Sequence, residues 1–115
     1  MSSKPFSAVT CGPDTYAKNE AVRDALFGYG DDGSETRPVL HFFYPSPAIS
    51  DPSSMITSLK AYGYEVKAAQ HRGLIAENTS EVSSAEFDRV TQGLDDLARK
   101  LGWSYDGWEC EVVSE

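Results

Sequence analysis

The sequence predicts an α+β fold of the split β-α-β, or ferredoxin-like, kind: a four-stranded antiparallel sheet with two helices on one face. Three observations carry this expectation. Val39-Leu40-His41-Phe42-Phe43-Tyr44 is an apolar run rich in β-branched and aromatic residues, with Pro38 and Pro45 on either side, as a central strand requires. Two stretches with apolar residues at spacings of three and four close at Gly63 and Gly102. Strand patterns fill the remaining space, so from residue 38 the order is strand, helix, strand, strand, helix, strand.

Residues 1–14 contain Ser, Pro and Gly with little periodicity and read as a loosely attached lead-in. From Thr15 the pattern is that of a short, weakly amphipathic helix ending near Gly28 and lying outside the core. Gly28 to Glu35 is turn-rich, a connector too flexible in composition to hold an extended element. The expected organisation is therefore residues 1–36 as lead-in, helix and connector, and residues 37–115 as the compact domain.

Within that domain, Ser50-Asp51-Pro52 opens the first core helix with a capping side chain and a proline near its first turn. Met55, Ile56, Leu59 and Tyr62 form its apolar stripe, and Gly63 ends it. Tyr64, Val66 and Ala68 alternate with Glu65 and Lys67 up to Gln70-His71-Arg72-Gly73, a tight segment that leads into a second hairpin arm, Leu74 to Thr79. Ser83 and Glu86 make a capping box before the best helix, whose stripe is Phe87, Val90, Leu94, Leu97 and Leu101. On its opposite face, expected to be wet, Asp95 and Asp96 precede Arg99 and Lys100 by four residues. Right-handed crossovers then give a strand order of 4-1-3-2, with Val39–Tyr44 and Leu74–Thr79 in the centre.

At 115 residues, 40% apolar and 24% charged, the chain can bury one core without staples. No apolar run reaches the roughly 18 to 20 residues of a membrane span, and no signal core follows Lys4-Pro5, so a cytoplasmic protein is expected. Cys11 and Cys110 lack CxxC spacing and read as reduced thiols. A net charge of −8 repels phosphate backbones and favours a basic protein segment as the charged partner.

Candidate chemistry is sparse. His41 stands in an apolar strand with no Ser or Cys placed beside it, and a structural role is expected; His71 lies in a turn as a solvated residue. No HxH, HxxxH or HxxEH grouping supports a metal, and Gly28, Gly30 and Gly33 make no phosphate cradle, so neither metal nor cofactor is expected. Asp31/Asp32, Asp95/Asp96 and Glu109/Glu111 are paired carboxylates in a loop, on a helix face and on a strand, without apolar surroundings. Phe42, Tyr44, Tyr105 and Trp108 could stack bases, but the negative charge and the lack of a basic-glycine-aromatic run oppose RNA binding.

The last strand carries the most specific pattern. Asp106-Gly107 favours a tight bend, and Trp108, Cys110 and Val112 then alternate with Glu109 and Glu111. Tyr105-Asp106-Gly107-Trp108-Glu109, with Ala61-Tyr62-Gly63-Tyr64-Glu65-Val66 and the aromatic first strand, resembles the RraB family, the regulators of ribonuclease activity B. The resemblance runs from about Arg37 to the C-terminus. It implies a ferredoxin-like core, no catalysis, and a protein partner: a ribonuclease of the E type, inhibited through contacts with its C-terminal scaffold region.

The candidate partner-binding residues are Tyr105, Asp106, Gly107, Trp108, Glu109 and Glu111, with Trp108 expected to be mainly structural. A second possibility is a small enzyme or ligand-binding domain with a cleft near His41. A large apolar pocket reaching His41 would favour that reading, and a flat acidic surface the regulator.

Overall fold

The computed structural model describes residues 15–113. The expected lead-in and Cys11 lie outside these. Helix α1 covers Thr15–Gly28, strand β1 Arg37–Pro45, helix α2 Ser53–Ala61, strand β2 Glu65–Ala68, strand β3 Leu74–Ser80, helix α3 Ala85–Leu101 and strand β4 Trp103–Cys110. The sheet is antiparallel in the order β2-β3-β1-β4, the predicted arrangement read from the other edge. This is the split β-α-β sandwich, with β1 and β3 in the centre.

Alternation decides what each strand buries. Val39, His41 and Phe43 of β1 point inward, while Leu40, Phe42 and Tyr44 are half-buried on the other face. One core joins Phe43, Leu74 and Ala76 of the sheet to Met55 and Leu59 of α2 and Leu94 and Ala98 of α3, with Trp103 and Tyr105 of β4. Gly73 is required at the hairpin, because a Cβ there would stand 2.5 Å from the Tyr44 ring and 2.9 Å from the Phe43 carbonyl oxygen.

Helix boundaries differ locally from expectation. Ser84, not Ser83, caps α3, its hydroxyl accepting from Phe87 N, while the Ser83 hydroxyl donates to Glu81. Asp51 does not cap α2 either; it holds a local turn by accepting from Ser53 N and Oγ, and Pro52 stands at the cap. Tyr62 leaves the apolar stripe: it is the C-cap residue, turned outward and 69% exposed.

Helix α1 and the connector are also more integrated than their composition implies. Val22 and Leu26 pack with Val39, Val82, Phe87 and Trp108 in a second core cluster. The Asn19 amide donates to Asp88 (2.9 Å) and Thr91 (2.8 Å) of α3, and Arg23 pairs with Asp88 at 2.7 Å. In the connector, Asp31 is 1% exposed and accepts from Arg37 Nη1 (2.5 Å), Arg37 Nη2 (2.9 Å), Gly33 N (2.9 Å) and Val113 N (2.7 Å). Burial opposes the Asp31 charge, but the Arg37 guanidinium and the two backbone donors outweigh it and hold the carboxyl below its ordinary range. A glycine-rich stretch is thereby fixed by one buried ion pair. Because α1 lies against α3, Asp95 is not on a wet face: it is buried, with its carboxylate 3.0 Å from Arg99.

Candidate partner-binding surface

The C-terminal strand sets the geometry of the candidate site. His41 pairs with Trp108 and Phe43 with Tyr105, so a step of two residues on β1 matches a step of three on β4. The extra residue falls at Asp106-Gly107, and Gly107 has φ 95°, a conformation that costs glycine little. The dipeptide is therefore a bulge inside β4, not the turn that starts it. The strand begins earlier, at Trp103, which is itself a core residue.

Because of the bulge, Tyr105 and Trp108 both face inward, 4% and 3% exposed. The Trp108 ring meets Phe87 edge-on with centroids 4.8 Å apart, and its Nε1–H donates to Asn19 Oδ1 at 2.8 Å. Tyr105 packs on Phe43 at 5.1 Å, and its hydroxyl is hydrogen-bonded to His41 Nδ1 at 2.8 Å. Neither ring is open to a partner, which corrects their place among the contact residues. Gly107 contributes the backbone of the bulge. Asp106 is exposed at the sheet edge, its pKa raised by burial of the carboxyl and partly restored by Lys18.

Glu109 and Glu111 lie on the other side of β4, opposite Trp108 and Cys110, as the alternation predicts. That side belongs to a sheet face which no helix covers among the described residues, since α1, α2 and α3 all pack on the inner face. Across it, Leu40 is flanked by Glu109 on one side and Glu77 on the other, with Phe42 beside Ile75. A shallow depression of about 780 Å³ spans this region, lined by Pro38, Leu40, Glu77, Glu109 and Glu111. Lys67, 3.3 Å from Glu77, is the cation there. The half-buried aromatic residues of this face are thus Phe42 and Tyr44 of β1.

A second cleft, of about 390 Å³, opens between β3 and α3 and reaches His41, with Tyr62, Tyr64, Asn78, Phe87 and Leu97 among its walls. His41 is 1% exposed, and burial pushes its imidazole down to about 3. Tyr64 stands edge-on to it at 5.6 Å, and the Phe87 ring lies tilted beside it at 6.1 Å. A base this weak and this enclosed is poorly matched to proton transfer near neutral pH. Among the described residues no group of three or more His, Cys, Asp or Glu could hold a metal, and no helix is long and apolar enough to cross a membrane.

No curated protein and no solved structure matches the chain. A family model does, over residues 17–110, a span that runs from α1 to the end of β4 and includes both the bulge and the open face. The chain belongs to the RraB family, described as regulator of ribonuclease activity B.

Proposed function

We propose that this protein regulates a ribonuclease of the E type by binding it, without catalysis, and that the open sheet face makes the contact. The observation that carries the reading is the uncovered strip of Leu40, Phe42, Tyr44 and Ile75 bordered by Glu77, Glu109 and Glu111. Apolar side chains at the centre of a patch supply most of the affinity, and carboxylates at its rim steer a basic segment and fix its register. The net charge of −8 works in the same direction by repelling RNA itself. Family membership supplies the class of target.

The cleft at His41 supports a ligand-binding alternative only weakly, because its histidine is an enclosed neutral group hydrogen-bonded to Tyr105. The test is cleavage of an RNA substrate by purified ribonuclease E with and without this protein, beside a direct binding measurement at low and high salt. The expected result is altered cleavage, with a complex that weakens as ionic strength rises. Unchanged cleavage and no complex at low salt would overturn the proposal.

A further inference from the structure

A different surface lies between α2 and the edge strand β2. There a cleft of about 490 Å³ is lined by Ile56, Val66, Leu74 and Trp103 together with Lys60, Lys67 and Arg72, and by no carboxylate. This is the reverse of the chain as a whole, in which Asp and Glu outnumber Lys and Arg 18 to 10. Lys67 has a partner in Glu77, but Lys60 and Arg72 enter no ion pair among the described residues.

The backbone adds two further observations. His71 and Arg72 sit at φ 55° and 64°, a left-handed conformation that non-glycine residues seldom adopt in succession. Such a conformation persists only where the surroundings hold it. Here the Arg72 guanidinium donates to the Ile49 carbonyl, tying the cation to the segment that forms the opposite wall of the cleft. In addition β2 pairs only with β3, so alternate N–H and C=O groups of Glu65–Ala68 face outward with no strand beside them.

We infer that this cleft receives an extended acidic peptide segment of a partner protein, which adds a strand to the outer edge of β2. Main-chain bonds to the edge would give affinity, and alternate side chains would give selectivity. Apolar side chains of the segment rest on Ile56 and Val66, and carboxylates at the same parity meet Lys60 and Arg72. The inference does not depend on the open sheet face, which suits a segment of opposite charge and shares only Lys67 with the lining of this cleft.

The probe is a fluorescein-labelled Asp-Thr-Val-Thr-Val-Thr-Asp peptide, read by fluorescence anisotropy against the whole protein. Saturable binding is expected, weakened by about tenfold or more when both Asp are replaced by Lys. N-methylation of one alternate set of peptide nitrogens should abolish binding and of the other set leave it, since only one set can face β2. Lys60→Glu/Arg72→Glu should remove binding, with a lowered unfolding midpoint because the Arg72–Ile49 bond is lost with it, whereas Lys60→Glu should weaken binding with the midpoint unchanged. Lys60→Glu alone, at an exposed helix position, serves if the double variant does not fold. No saturable binding, equal tolerance of both N-methylated sets, or full affinity in the Lys60→Glu protein would each overturn the inference; the edge residue Lys67 would then serve only to keep strands away.

Discussion

Lowering the pH from 7 to 5 should destabilise this protein through His41, a residue with no expected part in binding. Its imidazole is held at about 3 by burial, against 6.5 in the unfolded chain. Between those values the unfolded state carries a proton that the folded state refuses. The contribution of the neutral ring is therefore complete above about pH 6.5 and declines as pH falls, by about 1.4 kcal/mol per unit. From pH 7 to 5 the loss is about 2 kcal/mol, a large part of a small domain's stability. Asp31, held below its ordinary carboxyl value, loses its contribution only at lower pH, outside this window. Asp106, raised by burial, acts in the opposite sense, so the comparison must be between proteins rather than along one curve. Urea unfolding of wild type and His41→Gln at both pH values is the assay. The wild-type difference should exceed that of the variant by about 2 kcal/mol. Equal differences would show that the ring titrates normally, and the enclosure argued for it would be wrong.

Trp108→Ala should cost about 3 to 5 kcal/mol, since it empties a core position against Phe87 and leaves Asn19 Oδ1 without its donor; urea denaturation reads this directly. Asp31→Ala should cost about 3 to 5 kcal/mol by leaving the buried Arg37 charge alone, and Asp31→Leu/Arg37→Met should recover much of that loss in the same assay. Glu109→Lys/Glu111→Lys should leave the unfolding midpoint nearly unchanged yet weaken the ribonuclease complex, most clearly at low salt, in a titration by calorimetry.

Strand order, helix identities and the central place of β1 follow from period and punctuation, which are local properties: six elements separated by prolines and glycines leave few topologies. What composition could not convey was the effect of single long-range bonds. Gly28 to Glu35 has the content of a flexible linker, and only the pairing of Asp31 with Arg37 and with Val113 N, far away in the chain, makes it rigid. Asp95 likewise reads as a surface acid on its own helix, because the covering helix α1 is distant in sequence. Tyr62 fits the apolar spacing of α2 but falls at its cap, where the spacing no longer specifies a direction. For the candidate surface, alternation puts Glu109 opposite Trp108, as the structure has them, whereas Asp-Gly is the same local signal in a turn and in a bulge and does not tell that Tyr105 and Trp108 both face inward.

That bulge has a consequence for how β4 tolerates change. Strand parity is reset once, at Asp106-Gly107, so the residues before and after it obey different phases relative to β1. Deleting either residue would remove the supernumerary one and leave Tyr105 and Trp108 two places apart, both still facing inward. Straightening the strand with every residue kept would instead restore strict alternation from Trp103 onward, bringing Glu109 and Glu111 under the helices and carrying Trp108 and Cys110 to the open face. Loss of the bulge without loss of a residue is thus equivalent to turning half a strand over, and the left-handed backbone at Gly107 is what keeps the acidic surface and the aromatic interior on their own sides.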